Sequence, residues 1–350
     1  MSNVTANRST QAIATGDAYA MAKKNYEAEV LAAFVQDSVF WDRTWKKPIT
    51  SGNSVEFPAI WRSSEASHTV GNELAGTAKP QHKPRTVTLE ATERVAHDYL
   101  ADIDKFIQHF ESQSHHAREH ARALIRKADS WIAQVIALGA RTAASGDFDA
   151  GNVKTVGVGG DLTLHPSDAA AINGTTIALA FPRSLKGSKT LQAAIQLLGE
   201  AMTAKFVPME NRTIYLSQYL INVLRQDTTL TSGDWARGSD ATKNNLIRGT
   251  IGHVEGFEVV MTTNMPSTDL SADAAVPTAY QGDFSKTVCV ATGDMTAVGT
   301  ALAGGGVRPE GPTYIPDKLA HLICARLLKG HGVTRPEACG EIRIIGAAPE

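Results

Sequence analysis

The first regular pattern along the chain is a pair of alternating segments separated by a polar stretch rich in glycine and proline. In NSVEFPAIW and again in RTVTLEATER, apolar residues alternate with mostly polar neighbours. Those residues are Val55, Phe57, Ala59 and Trp61, then Val87, Leu89 and Ala91. A period of two is typical of strands with one covered face, so residues 63 to 84 are predicted to be the tip of a long hairpin. Because a two-stranded ribbon is marginal alone in water, either this chain or another subunit must cover it.

A helical period follows over residues 112 to 138. Apolar residues recur there at steps of three and four, and three isoleucines widen the stripe. The stripe consists of Ala117, Ala121, Leu124, Ala128, Trp131 and Val135, with Ile125, Ile132 and Ile136 beside it. The pattern predicts one amphipathic helix roughly 40 Å long. Ser112 or Ser114 is expected to cap its start, and Gly139 to end it in a left-handed conformation.

The helix contains the motif His-x-x-Glu-His, formed by His116, Glu119 and His120. In one class of zinc peptidases this spacing places two metal-binding imidazoles and a general base on one helical turn. Here the two histidines flank the apolar stripe, and nearby arginines and a lysine make the surroundings cationic. No third ligand follows at a metal-binding spacing. The pattern therefore favours a polar helix shoulder over a metal site.

Shorter elements are predicted from about residue 142 to 305. A helix is expected over 190 to 206 and a second one in QYLINVLRQ, with strands in RTIYLS, FEVVM and TVCVAT. The segment 267 to 286 is polar and predicts an exposed excursion, and the three glycines 304 to 306 predict a flexible break. The C-terminal segment KLAHLICARLLKGHGVTRPEACGEIRII is compatible with a helix to Lys329 or with a strand pair around residues 330 to 332.

Composition limits the class of protein without naming a partner. The 350 residues are 43% hydrophobic and 20% charged, and the net charge of −2 gives no global attraction to nucleic acid or to an acidic membrane. The three cysteines fit neither a disulfide framework nor a Cys-x-x-Cys metal site, so a reducing cytosol is expected. Neither a signal-peptide core nor an apolar run of membrane-spanning length occurs. Residues 1 to about 20 are polar and predict a flexible arm.

Motifs for catalysis are absent from the sequence. There is no Gly-x-Ser-x-Gly, and the glycines of residues 157 to 160 lack the lysine of a phosphate loop, so they are interpreted as a hairpin or turn. Cys289 has no surrounding motif and is expected to be a small buried residue of a strand. The pairs Asp102/Asp104 and Asp147/Asp149 are interpreted as solvated surface, and His331 as part of a turn.

Four stretches of the chain together resemble one known family. They are EVLAAFVQDSVFWDRTWKKPITSGNSVEFPAIWR (29 to 62), AKFVPMENRTIYL (204 to 216), VEGFEVV (254 to 260) and GHGVTRPEACGEI (330 to 342). In this order they are similar to the major capsid proteins of short-tailed phages of the coliphage T-seven type. The last stretch is the most specific of the four.

The resemblance implies an α+β chain with the Hong Kong 97-like capsid fold, which has an N-arm, an E-loop hairpin, a P-domain with a long spine helix and a β-sheet, and an A-domain. It assigns residues 1 to 50 to the N-terminal arm, 51 to 95 to the E-loop, 96 to 145 to the P-domain with its spine helix, 146 to 300 to the A-domain and 301 to 350 to a return to the P-domain. It also favours strands in the C-terminal segment.

The function implied by the resemblance is self-assembly into hexamers and pentamers of an icosahedral phage head that encloses double-stranded DNA. Scaffolding and portal proteins are the implied assembly partners, with no cofactor, metal, membrane or catalytic activity. The chain would be a virion component assembled in the host bacterial cytoplasm. The neighbouring subunit would cover the hairpin through Phe57, Trp61, Val87 and Leu89, and Arg8, Lys23 and Lys24 would contact packaged DNA non-specifically.

Two alternatives remain at this point. The same fold builds encapsulin-like protein nanocompartments, which enclose cargo enzymes, and fold alone does not separate them from phage heads. The alternative of a different class is a zinc peptidase with His116 and His120 as ligands and Glu119 as base.

Overall fold

A computed structural model describes residues 28–33, 38–60, 67–73, 82–101, 112–145, 149–157, 177, 180–227 and 252–345. Within these ranges lie the helices α1 (Ser112–Ala140), α2 (Leu185–Ala204) and α3 (Gln218–Leu224), and a helical turn over residues 28–33. None of the helices in the described ranges combines the length and apolar character needed to cross a bilayer. The strands form two larger sheets and one hairpin.

The first sheet has four strands in the order β1-β10-β11-β4. Their bounds are Trp45–Ile49 for β1, Arg94–Ala101 for β4, Val298–Ile315 for β10 and Ala320–Val333 for β11. The strand β1 runs parallel to β10, whereas the β10-β11 and β11-β4 pairs are antiparallel. The C-terminal ambiguity is thus resolved in favour of strands, and His331 lies inside β11, where a turn was expected.

The second sheet has six strands in the order β5-β12-β9-β6-β8-β7. Their bounds are Asn152–Gly157 (β5), Thr213–Leu216 (β6), His253–Val254 (β7), Phe257–Met261 (β8), Thr287–Thr292 (β9) and Cys339–Ile345 (β12). The predicted strands RTIYLS, FEVVM and TVCVAT are confirmed, and Cys289 is fully buried in β9 as expected. The helix α2 packs on β5 and β12, where its apolar face is buried.

The hairpin consists of β2 (Ser54–Ile60) and β3 (His82–Thr88), paired antiparallel. Both strands were predicted, but RTVTLEATER does not continue as one strand. The strand β3 ends at Thr88, and β4 begins at Arg94 in the first sheet. The intervening residues carry the chain from the hairpin to that sheet.

The predicted long helix is confirmed as α1, and its apolar stripe is buried between the two sheets. The expected C-terminal cap is wrong, because Gly139 lies inside the helix. A Cβ atom there would stand 2.8 Å from Cys339 Sγ and 3.0 Å from Val333 Cγ2. Gly139 is therefore required for close packing of α1 against the strands around it, and not for a left-handed helix end.

Other segments also depart from the predictions. The strand β1 belongs to the first sheet although it was assigned to the arm, and β12 joins the second sheet although it was assigned to the P-domain. The glycines 304 to 306 all have positive φ and form an irregularity inside β10, where the register to β11 shifts between Leu302 and Val307. The segment 267 to 286 is not exposed throughout, because Val276, Tyr280 and Phe284 are buried in the core.

Candidate functional site

The base of the hairpin lies on the first sheet of its own subunit. Phe57 and Val87 form a small buried cluster with Ala301 of β10. The period of two puts Val55 and Phe57 on one face of β2, and Val87 lies directly opposite Val55. Trp45 of β1 packs edge-on against Phe57, with ring centroids 5.1 Å apart. This cluster holds the hairpin to the sheet.

Three glycines bring the hairpin backbone close to the sheet. A Cβ atom at Gly332 would stand 2.8 Å from Val87 Cγ2, and one at Gly299 would stand 2.9 Å from Phe57 Cε2. A Cβ atom at Gly330 would overlap the carbonyl oxygen of Thr88. We call Gly299, Ala301, Gly330 and Gly332 the hairpin seat. Any side chain larger than hydrogen at its glycines would push the hairpin away.

Backbone and lysine hydrogen bonds complete the attachment. Leu89 N donates to the Asn53 carbonyl at 2.7 Å and Glu90 N donates to the Lys329 carbonyl at 2.9 Å. Lys47 Nζ donates to the Glu56 carbonyl at 2.8 Å and lies 5.4 Å from the centre of the Phe57 ring. Both ends of the hairpin are thereby tied to the first sheet.

The other face of β11 points to α1. Lys329 Nζ lies 4.8 Å from the centre of the Trp131 ring, and Val333 packs near Gly139. His331 Nδ1 lies 2.9 Å from Thr300 Oγ1. In the motif Gly-His-Gly, alternation along the strand thus directs the glycines to the hairpin and the histidine to the core.

Tyr280 is hydrogen-bonded to β11 at a residue that lies beyond the part of the strand paired with β4. Its hydroxyl accepts from His331 N at 2.8 Å and donates to Glu90 Oε1 at 3.2 Å. Burial, followed by the negative charge of Glu90, raises the pKa of Tyr280, so the hydroxyl keeps its proton for this hydrogen bond. The ring of Tyr280 packs 5.2 Å from that of Trp131. Tyr280, although it belongs to a polar segment, therefore contacts Glu90 after the hairpin, His331 in the sheet and Trp131 in the helix.

Three buried charged residues meet at this junction, and we call them the ionisable cluster: Glu90, Asp129 and Lys329. Burial raises the pKa of Glu90 to about 7 and that of Asp129 to about 6, and it lowers the pKa of Lys329 to about 7. Asp129 accepts from Val39 N at 3.0 Å and Phe40 N at 3.3 Å, so it fixes the chain that leads into β1.

Two ion pairs attach the second sheet to the rest of the subunit. Arg141, just after α1, makes a bidentate pair with the fully buried Glu341 of β12, at 2.7 and 2.6 Å. The Thr287 hydroxyl donates to the same carboxylate at 2.5 Å. Arg43 makes a second bidentate pair with Glu258 of β8, at 2.8 Å for both bonds.

The His-x-x-Glu-His turn does not converge on one point. His116 Nδ1 pairs with Asp98 of β4 at 3.0 Å, Glu119 pairs with Arg122 at 2.8 Å, and the two histidine rings lie 6.4 Å apart. Burial and the neighbouring His116 lower the pKa of His120. Over the residues that the structure describes, no three His, Cys, Asp or Glu side chains are grouped as a metal site would require.

An exposed turn follows α2. Phe206 is 75% exposed and Met209 64% exposed, and Phe206 has a left-handed φ of 57°. Arg212 holds the turn from inside: its guanidinium donates to the carbonyls of Pro208, Val207 and Gly199 at 3.0, 2.7 and 3.2 Å. The turn thus presents two large apolar side chains to solvent on a fixed backbone, a feature of contact surfaces.

The predicted contact residues divide into three groups. Phe57 and Val87 are buried within their own subunit, so the expectation that they lie on an adjacent subunit is wrong for the structure described. Leu89 is half-buried beside the same cluster. Trp61, and the predicted DNA contacts Arg8, Lys23 and Lys24, lie outside the described residues.

Sequence reasoning missed the hairpin seat, the ionisable cluster and Tyr280. The alternation Gly-His-Gly next to a long apolar segment was the signal for the seat. The ionisable cluster had no signal of its own, because its members are separated by 39 and 200 residues along the chain.

Solved capsids share this architecture. The capsid protein in the capsid structure of Cyanophage P-SCSP1u superposes with a TM-score of 0.71 at 22% identity, covering 89% of each chain. Two sheets, a long helix and a hairpin in this arrangement are the Hong Kong 97-like fold.

The sequence comparisons agree with the fold. The major capsid protein of Enterobacteria phage T3 is 26% identical over 341 residues, covering 93% of this chain and 92% of the relative. That of Escherichia phage T7 is 24% identical over 351 residues, covering 96% and 95%. The family model described as Gp10A-like major capsid protein matches residues 56–343, so the chain belongs to that family. The family is structural, and the peptidase alternative is set aside on this ground.

Proposed function

We propose that this capsid protein assembles into hexamers and pentamers of an icosahedral phage head that encloses double-stranded DNA. Head-to-tail contacts between identical subunits close into rings when the rotation closes, and repeated closure of this kind builds a container. Membership in a family of phage major capsid proteins supports the proposal over a nanocompartment shell.

The observation that carries the proposal is the division of the hairpin into a held base and an exposed end. The base is fixed on the hairpin seat, whereas residues 67–73, between the two strands, are exposed throughout and Val70 is 95% exposed. A hairpin that is anchored at its base can reach a neighbouring subunit with its far end. Trp61 and Leu89 remain the proposed apolar contacts along its length.

Further partners follow from the same proposal. Scaffolding and portal proteins would act during assembly in the host cytoplasm, and Arg8, Lys23 and Lys24 would contact packaged DNA. The hydrogen bonds from Glu90 N to Lys329 and from Lys47 to Glu56 lie where the hairpin meets the sheet, so they would set its angle if the shell expands.

Negative-stain electron microscopy of the purified chain tests the proposal, with Val70→Asp as the variant and Met295→Asp as a matched control at another exposed apolar residue. We expect wild-type shells, loss of shells in Val70→Asp at an unchanged subunit melting temperature, and retained shells in the control. A wild-type chain that stays monomeric at high concentration, or shells that exclude nucleic acid in infected cells and hold enzymes instead, would overturn it.

A further inference from the structure

The N-terminal half of α1 has an exposed face with an excess of positive charge. From Trp131 to Ala137 every residue of the helix is buried, but between residues 115 and 127 one face is open to solvent. Arg118, Arg122 and Arg126 lie within about 80° of one another on that face, and we call these three arginines the cationic stripe. Glu119 is the single carboxylate between residues 115 and 127. With histidines counted neutral, this segment has a charge of +3 in a chain whose net charge is −2.

The internal charges of the subunit do not neutralise the stripe. Glu119 is already paired with Arg122 at 2.8 Å. No carboxylate in the described part of the chain pairs with Arg118 or Arg126. A solvated helix face ordinarily mixes both signs at i,i+4 spacing, and like charges at that spacing destabilise the helix. The stripe is therefore unfavourable for the isolated subunit.

The spacing of the stripe suits a phosphate backbone. Arg118, Arg122 and Arg126 follow one another at four-residue steps, which is a rise of about 6 Å per step. From Arg118 to Arg126 the stripe is about 12 Å long, and one DNA strand carries about three to four phosphates over that length of duplex. The three guanidinium groups can thus face about three successive phosphates. Guanidinium groups bind phosphate oxygens through paired N–H donors.

The same face does not fit a protein partner. Within α1, no large apolar side chain of the described residues is exposed, so an acidic protein helix would find no hydrophobic anchor there. The stripe also has no Asn, Gln or aromatic side chain that could read base edges. The chemistry recognised is a polyanionic backbone, independent of base sequence.

The hairpin and the stripe lie on opposite sides of the first sheet. The glycines of β11 face the hairpin, whereas Lys329 and Val333 on the same strand face α1. In a curved shell one of these sides must be concave. We propose that the cationic stripe of α1 is a sequence-independent contact for the phosphate backbone of enclosed DNA. This inference rests on the proposed function, because it places α1 on the inner side of the shell.

Fluorescence anisotropy of a short labelled DNA duplex, titrated with the full chain over a series of salt concentrations, tests the inference. The variant is Arg118→Gln/Arg126→Gln, which removes the two cations of the stripe that have no carboxylate partner among the described residues. The matched control, Arg183→Gln/Arg308→Gln, removes two arginines at exposed positions elsewhere. Glutamine keeps a helix propensity close to those of lysine and arginine, so α1 should remain folded.

We expect the stripe variant to bind the duplex at least tenfold more weakly and its salt dependence, log K against log of salt concentration, to flatten by about 1.8 units. The control should stay within twofold of wild type. Equal losses in both variants would show an effect of net charge alone and would overturn the inference. So would displacement of the duplex by polyglutamate at equal charge concentration, which would indicate an acidic protein as the ligand.

Shell formation by the same variant separates the two proposals. If the stripe variant forms shells but loses duplex binding, both the proposed function and the stripe are supported. If the wild-type chain forms no shells, the proposed function fails whatever the binding result. If shells form and the stripe variant binds DNA as wild type does, the stripe alone is refuted.

Discussion

Gly330 lies directly against Thr88, so close that a Cβ atom on the glycine would overlap the threonine carbonyl oxygen. The hairpin is thus positioned by backbone contact with β11 as well as by the buried side chains of Phe57 and Val87. On the opposite face of that strand, Lys329 and His331 reach the core. The strand β11 therefore contacts the hairpin on one face and α1 on the other.

Replacing Gly330 by alanine should displace the hairpin base. Because the obstructing atom is backbone, it cannot move aside like a flexible side chain, and we expect a loss of about 3 kcal/mol of unfolding free energy. Urea unfolding of the unassembled subunit measures it. Gly252→Ala is the control, since its Cβ would meet open space, and it should stay within about 0.5 kcal/mol of wild type. Equal stability of the two variants would contradict the described packing.

Phe57→Ala distinguishes an intrasubunit anchor from an intersubunit one. Because Phe57 is fully buried in its own subunit, the truncation should remove about 3 to 5 kcal/mol from the stability of the unassembled chain. If the ring instead packed on a neighbour, the unassembled chain would be unaffected and only assembly would weaken. Thermal unfolding at a concentration below assembly measures the difference. Val70→Ala serves as the comparison and should leave subunit stability unchanged.

Arg141→Met should be strongly destabilising because it removes the bidentate partner of the buried carboxylate of Glu341, which then keeps only Arg343 Nε at 3.8 Å. We expect a cost of about 3 to 5 kcal/mol. The double variant Arg141→Met/Glu341→Gln should be more stable than the single one, because a neutral amide can still accept from the Thr287 hydroxyl, which donates to Glu341 at 2.5 Å in the wild type. Urea unfolding of the three proteins measures this. Additive losses would show that Glu341 and Arg141 are not coupled.

The ionisable cluster should make subunit stability depend on pH near neutrality. In the folded chain the pKa of Glu90 is raised from 4.5 to about 7. Its contribution to the unfolding free energy is therefore full below about pH 4.5 and is lost as pH rises from there through about 7. The pKa of Lys329 is lowered from 10.5 to about 7, so its contribution is present above about 10.5 and is lost as pH falls towards 7. The combined contribution of Glu90 and Lys329 to the unfolding free energy should therefore be smallest near pH 7.

The measurement is the unfolding free energy of wild type minus that of Glu90→Gln/Lys329→Met across pH. We expect a minimum near pH 7, with slopes of at most about 1.4 kcal/mol per pH unit for each group on either side. Arg94 lies 4.5 Å and Lys127 5.2 Å from the centre of the Trp131 ring beside the cluster. A difference that does not vary with pH would mean that both groups titrate normally in the folded chain.

Periodicity predicted the elements whose burial is one-sided. The stripe of α1 and the alternation in β2 identified both correctly, because a single covered face imposes its own period. The C-terminal segment could not be assigned by period, since β11 is covered by the hairpin on one face and by α1 on the other. There the resemblance to a family, and not the pattern, favoured strands.

The contact residues were the least predictable part. An apolar face on a hairpin must be covered, but its sequence does not say by which chain. Phe57 and Val87 meet their own subunit because glycines in β10 and β11, more than 200 residues away in sequence, leave room for them. Tyr280 was overlooked for a similar reason: its partners Glu90 and His331 come from distant parts of the chain.

The position of β12 bears on the order in which a ribosome can complete this subunit. The strand lies between β5 and β9, although it is the last one described in the chain. Until Cys339–Ile345 has been synthesised, the second sheet has a gap between those two strands, and the first sheet likewise waits for β10 and β11. A nascent chain therefore cannot complete either sheet before its C-terminal strands are synthesised. Assembly of subunits into a shell should thus begin only after translation of each subunit has ended.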